Sequence, residues 1–171
     1  MGENCSASSR LIVHRDVKAE LLQRITHHAK AWNIGDPLHP ETRMGALVSL
    51  GDRQGVRDRI AEIATEAEIV FGDPDRVEVV SGDPEAGAFL NPVLLRCGDP
   101  FGANAPHDIE AFGPVATVMG YDGLDEAVAL AHRGKGSLVA SVFTNDTDVA
   151  AEMVLGAAPF HGRVMLGNRD S

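Results

Sequence analysis

Apolar and polar residues follow two rhythms along this chain, and the rhythms take turns. Arg10–His14 (RLIVH) is a short β-branched run and predicts a strand. Apolar residues then recur at Val17, Leu21, Leu22, Ile25 and Ala29, a helical spacing, with Asp16 as the predicted cap. Residues 35–45 hold two prolines and two glycines and predict a loop. Val56, Ile60, Ile63 and Ala67 share one face of a second helix, from 52 to about 66. Glu68–Phe71 and residues 76–80 predict strands. Residues 88–97 are extended but contain Pro92, which cannot donate to a ladder, so an edge position is expected. After a glycine- and proline-rich loop at 98–107, residues 114–121 predict a strand, and Asp122 caps a helix running to His132 with Leu124, Ala127, Val128 and Ala131 inward. Ser137–Phe143 (SLVASVF) predicts an apolar, buried strand, Thr147–Ala157 a helix, and residues 161–166 a last strand.

This alternation predicts an α/β fold with a largely parallel, helix-covered sheet. The tripeptide Gly-Asp-Pro occurs at Gly35, Gly72, Gly82 and Gly98; the irregular intervals mark turns rather than a repeat architecture.

Composition narrows the function classes. The chain of 171 residues suits one domain, and 44% hydrophobic with 23% charged residues is ordinary for a soluble protein. A net charge of −10, spread along the chain, disfavours nucleic acid as a partner. No apolar run approaches the ~20 residues of a membrane span, and no basic-then-apolar leader opens the chain. Two cysteines, Cys5 and Cys97, make no disulfide framework, so the expected setting is cytoplasmic, with no membrane partner.

Few residues carry candidate chemistry. Cys5 sits among Ser6, Ala7 and Ser8, whose small side chains leave room for a substrate and for backbone N–H groups to face an oxyanion. A cysteine with no task is the alternative that composition leaves open. In Glu110-Ala111-Phe112-Gly113-Pro114, a tight turn holds a carboxylate and an aromatic ring at the entrance of a strand. The carboxylate can accept from ribose hydroxyls and the ring can pack on a planar group; a solvated Glu and a core Phe are the alternative. His27, His28, His39, His107, His132 and His161 show no metal-ligand spacing, and no metal site is expected. Arg133-Gly134-Lys135-Gly136-Ser137 lacks phosphate-loop spacing and predicts a helix-to-strand turn, and Cys97 a core thiol.

Taken together, these segments resemble the aldehyde dehydrogenase superfamily. Gly2-Glu3-Asn4-Cys5-Ser6-Ala7 looks like the family's nucleophile signature, with Glu3 for the usual Gln. Ile34-Gly35-Asp36-Pro37-Leu38 with Met44-Gly45-Ala46-Leu47 resembles its G-D-P…M-G-P-L loop, with Ala46 for Pro. Glu110-Ala111-Phe112-Gly113-Pro114 resembles its E-[IV]-F-G-P element, with Ala111 for the branched residue. Gly87-Ala88-Phe89-Leu90, the run from His107 to Thr117, Gly134-Lys135-Gly136-Ser137-Leu138 and the segment from His161 to Ser171 are similar to a subgroup: the dehydrogenase half of bifunctional ring-opening enzymes of phenylacetate breakdown.

The resemblance implies an aldehyde dehydrogenase catalytic-domain portion over residues 1–171, incomplete relative to the family. It implies Cys5 as the catalytic thiolate, Glu110 on the nicotinamide ribose, Phe112 beside the nicotinamide ring, and NAD or NADP as cofactor. The implied substrate is a small-molecule aldehyde, a CoA-linked semialdehyde within the subgroup, oxidised to an acid through a cysteine thiohemiacetal. The family's dinucleotide-binding domain, general-base glutamate, oxyanion-hole asparagine and oligomerisation strand have no counterpart in these residues. The isolated chain is therefore expected to be inactive, and to form homo-oligomers or associate through the face such a domain would cover. A non-catalytic remnant or interaction module, and a thiol hydrolase pairing Cys5 with a histidine, are the other function classes.

Overall fold

The structure, a computed structural model, describes residues 2–169. Its principal sheet contains β1 (Arg10–His14), β2 (Glu68–Phe71), β3 (Val93–Cys97) and β4 (Val115–Tyr121) in the order β1-β4-β3-β2. β4 runs parallel to both β1 and β3, and β2 is antiparallel to β3. A second, two-stranded parallel sheet pairs β5 (Ser137–Phe143) with β6 (His161–Gly167). The mixed, largely parallel α/β architecture expected from the alternation is therefore present, divided between two sheets.

Side chains alternate across each strand, so Ile12, Leu95, Cys97 and Met119 share one face of the principal sheet. On that face, the buried Val56, Ile60 and Ile63 of α2 (Leu50–Ile63) join Val93 and Leu95, and Leu130 of α4 (Leu124–His132) joins Cys97 and Met119. The opposite face carries Leu94, Ala116 and Val118 and receives α1 (Arg15–Lys30). α5 (Thr147–Ala157) packs on α4 and on the small sheet. Among the described residues no helix is long and apolar enough to cross a membrane.

Several local expectations are corrected. β3 is an interior strand, and Pro92 lies one residue outside it, so the missing donor removes nothing from the ladder. Residues 76–80 form no strand; Val79 makes only an isolated bridge to Ile34, because no neighbour extends the pairing. His14 rather than Asp16 caps α1, its ring accepting from the Asp16 N–H. Gly123 begins α4 in place of Asp122, whose own N–H donates to Glu126 while its carboxylate pairs with Arg15. Ser49 opens α2 earlier than expected, its hydroxyl accepting from the Asp52 N–H. The loop at 98–107 ends in a short helix, α3 (Ala105–Asp108), whose first N–H groups donate to Glu66. Ala127, Leu130 and Ala131 are the buried residues of α4; Leu124 and Val128 are only half-buried. Ser137–Phe143 is not a buried strand: Leu138 is 54% and Phe143 75% exposed, because among the described residues no second layer covers that side of the small sheet. None of the apolar residues of α1 is buried either: Leu21, Ile25 and Ala29 face a cavity instead of packed side chains, and Val17 is 51% exposed.

The four Gly-Asp-Pro signals all form turns. Asp36, Asp73 and Asp83 each accept the backbone N–H two residues on, and Asp99 that of Gly102. The short Asp side chain satisfies a backbone donor that the turn itself leaves free.

Candidate active site

The site lies where the chain enters the parallel strands. The Cys5 segment leads into β1 and the Glu110–Pro114 turn leads into β4, and β1 and β4 are adjacent and parallel. Two loops feeding neighbouring parallel strands emerge at the same sheet edge, here the N-terminal one. The packing is close. Gly2 has φ +81°, and a Cβ there would stand 1.9 Å from the Gly113 carbonyl oxygen, so only glycine fits. On the other side Glu3 accepts the Val48 N–H at 3.2 Å. The Cys5 segment is thus seated between Gly113 and Val48.

Cys5 is exposed. Its thiol donates to Asn4 Oδ1 at 3.5 Å, and that oxygen also accepts the Ser6 N–H and hydroxyl. The Ala7 N–H closes the turn on the Asn4 carbonyl. Among the described residues the Cys5 N–H has no hydrogen-bond partner, which leaves it available to an oxyanion. Cys97 has no part in this site. It is fully buried under α4, and burial pushes its thiol pKa up.

Glu110 and Phe112 both line a cavity of about 790 Å³ between α1 and the sheet. Its floor is Leu94, Ala116 and the Gly113–Pro114 turn; its wall is Leu21, Ile25 and Ala29 of α1, followed by Trp32. Ala7, Ser8 and Ser9, two to four residues after the cysteine, also line it, although Cys5 itself does not. Apart from Glu110, the charged lining is cationic, Arg24 and Arg43, with the His28 ring beside them. In a chain of net charge −10, this local reversal draws anions toward the opening. Phe112 has φ +54°, a left-handed backbone that costs a residue with a Cβ about 1–2 kcal/mol. The conformation turns a half-exposed ring to the cavity instead of the core. Ala111 beside it is buried among Leu47, Val56 and Leu90, where a small side chain suffices.

Most of the remaining sequence candidates separate from this place. His27 and His28 are exposed on α1, ring edge to ring face, and of the two only His28 reaches the cavity. The turn after α4 places Arg133 on the carbonyls of Phe101 and Ala103, a structural role. Among the described residues no three His, Cys, Asp or Glu side chains converge on a metal position. Sequence reasoning missed Arg24, Arg43 and Trp32, which carry no motif. A helical wheel of α1 that marks Arg24 and His28 beside Leu21 and Ile25 is the only signal that points to the first.

A seated cysteine loop, a glutamate–phenylalanine turn and an apolar cavity behind them meet at one end of the principal sheet. Residues 1–158 match the aldehyde dehydrogenase family, and the chain belongs to that family. It is 39% identical over 166 residues to the 3,4-dehydroadipyl-CoA semialdehyde dehydrogenase of Aromatoleum evansii, covering 96% of this chain and 32% of that protein. It is 42% identical over 145 residues to the aminoacetaldehyde dehydrogenase of Pseudomonas aeruginosa, covering 84% and 27% respectively. The chain thus spans about a third of the length of these relatives. The betaine aldehyde dehydrogenase of Staphylococcus aureus, solved in complex with NAD+, superposes with a TM-score of 0.86 at 27% identity, covering 98% of this chain and 32% of that one. The similarity to the CoA-semialdehyde enzyme agrees with the subgroup expected from the sequence.

Proposed function

We propose that this chain is an aldehyde dehydrogenase catalytic-domain portion over residues 1–171, which supplies the nucleophile and one wall of the nicotinamide pocket for oxidation of an aldehyde to an acid. The observation that supports the reading is the seating of Gly2 against the Gly113 carbonyl, which keeps the cysteine loop and the Glu110–Pro114 turn together. The residues fit a nicotinamide nucleotide: the Glu110 carboxylate has no hydrogen-bond partner among the described residues, and the Phe112 ring is half-exposed at the same cavity. Glu110 would accept from ribose hydroxyls and Phe112 would flank the nicotinamide ring. When bound, NAD or NADP supplies a hydride acceptor.

The chain's own residues do the rest. Cys5, as thiolate, adds to the aldehyde carbon, and its backbone N–H faces the oxyanion. The same sulfur retains the acyl carbon until water releases the acid. The substrate class we infer is an aldehyde, and similarity to a CoA-semialdehyde enzyme supports a CoA-linked semialdehyde; the cationic rim suits an anionic carrier. Homo-oligomer formation belongs to the same reading, supported by the exposed Leu138, Phe143 and Leu166 of the small sheet.

Two measurements test it. Saturation-transfer NMR of NAD+ with the chain should show contact at the nicotinamide protons, weakened in Glu110→Gln and lost in Phe112→Ala. A 13C-carbonyl aldehyde should give a hemithioacetal resonance that Cys5→Ser removes. A folded chain that gives neither signal at millimolar ligand would refute the proposal.

A further inference from the structure

His107 is a buried polar residue close in sequence to the Glu110–Pro114 turn: it is 8% exposed and lies three residues before Glu110. Both of its ring nitrogens are engaged. Nε2 lies 2.8 Å from the Pro100 carbonyl oxygen and Nδ1 lies 3.3 Å from Arg10 Nη1. A carbonyl can only accept and a guanidinium can only donate. Nε2 must therefore carry the proton and Nδ1 must be bare: one tautomer, and neutral.

Arg10 continues the connection. Its guanidinium donates to the Leu130 carbonyl at 2.8 Å and to the Ala131 carbonyl at 3.3 Å, at the end of α4. Gly134 leaves the room: a Cβ there would stand 2.1 Å from Arg10 Nη2. Through one imidazole, the first residue of β1, the last turn of α4 and the loop around Pro100 are all tied to α3. The Ile109 N–H closes α3 on the Ala105 carbonyl, and the chain then leaves extended toward Glu110, buried Ala111 and the left-handed Phe112.

We propose that neutral His107 is a positioning residue, clamping α3 to Arg10 and Pro100 so that the Glu110–Pro114 turn is held at the cavity, and that protonation of His107 releases the turn. The significance for catalysis rests on the reading of Glu110 and Phe112 given above; the clamp itself does not. A second proton on Nδ1 removes the acceptor that Arg10 uses and sets two cations face to face. The other charges around the ring are Arg133, from the end of α4, and Asp108, which is neutralised by Lys135 at 2.7 Å. Burial first, and the Arg10 and Arg133 charges with it, hold the imidazole pKa below its ordinary value, against the Pro100 hydrogen bond and Asp108. The released state therefore binds the proton more readily. The clamp is complete above the ordinary histidine range and weakens as pH falls below about 6.5.

Ring 15N shifts of the wild-type chain at pH 7.5 should show His107 protonated at Nε2 and bare at Nδ1. An Nδ1–H tautomer or a freely exchanging ring would overturn the proposal without any variant. Hydrogen–deuterium exchange over residues 109–116, corrected for intrinsic exchange, then reads the clamp with no nucleotide present. In the wild type, protection should fall several-fold between pH 7.5 and 5.0, because the released state binds the proton more readily. His107→Asn keeps an acceptor near Nδ1 that cannot protonate, so its protection should not change with pH. His107→Gln keeps a donor for Pro100 and loses the acceptor, so its protection should be low at both pH values. PH-independent protection in the wild type, or a His107→Asn chain that titrates like it, would refute the clamp. Failure of NAD+ to contact a chain whose turn shows the pH-dependent protection would sink the cofactor reading instead, since the two readouts share no ligand.

Discussion

Arg10→Met removes a half-buried cation, and two opposing effects decide its consequence. The guanidinium donates to two carbonyls in the last turn of α4, where helix carbonyls lack intrahelical partners, and to the His107 ring. A hydrogen bond from a charged donor contributes about 1.5–3 kcal/mol net. The 2.8 Å contact belongs in that range, and the two at 3.3 Å fall at or below its lower end. Burying the cation opposes this: among the described residues no carboxylate pairs with Arg10, and desolvation lowers its pKa. Methionine removes that penalty and fills part of the space, yet it leaves the Leu130 carbonyl and His107 Nδ1 without donors, about 1 kcal/mol or more each, while the Ala131 carbonyl keeps the Gly134 N–H at 3.4 Å. The lost bonds win, by about 2–3 kcal/mol. With a urea slope of about 1–3 kcal/mol per molar, the unfolding midpoint followed by circular dichroism should drop by about 1 M or more at unchanged slope. Arg10→Lys should recover only part, since an ammonium lacks the planar fork. A loss under about 0.5 kcal/mol for Arg10→Met, on the scale of an ordinary surface change, would mean that desolvation cancels the bonds and that this anchor does not stabilise the fold.

Leu95→Ala empties the middle of the interior strand β3, where Leu95 is fully buried, and should cost about 2–5 kcal/mol in the same urea assay; a loss below 1 kcal/mol would refute the central position of β3. A thiol-disulfide reagent should titrate one thiol in the native chain, Cys5, and the second, Cys97, only in denaturant; two fast native thiols would refute the burial of Cys97. The Glu66 carboxylate accepts from the Asn104 and Ala105 N–H groups, and these bonds hold its pKa below the usual range. Its contribution is therefore present above about pH 4.5 and is lost as pH falls through the lowered folded value. Glu66→Gln should be less stable at neutral pH and lose less of its stability on acidification, read from melting temperature against pH; identical profiles would contradict the assignment.

Much of this fold was legible because local signals and tertiary outcome agree. Each Gly-Asp-Pro turn is written in three residues and formed by its Asp with the N–H of a residue just beyond them. β1, β2 and α5 lie where periodicity put them. The errors arose where position in the sheet depends on residues far apart in sequence. Pro92 marked an edge only so long as it was counted inside the strand, and the apolar run Ser137–Phe143 could not reveal that nothing packs over it. At the site, the motifs located Cys5, Glu110 and Phe112, but the contact between Gly2 and Gly113 joins residues over a hundred positions apart. His107 was read only for metal spacing, and its connection to Arg10 is invisible without the strand register that brings β1 beside β4.

The small sheet also bears on how the chain behaves in a tube. Among the described residues β5 and β6 pair only with each other, so each leaves one line of peptide groups without a ladder partner there, next to the exposed Leu138, Phe143, Met165 and Leu166. Such a ribbon is a template for any like-oriented strand that arrives. Dilution, rather than cooling, is what should keep a purified sample clear.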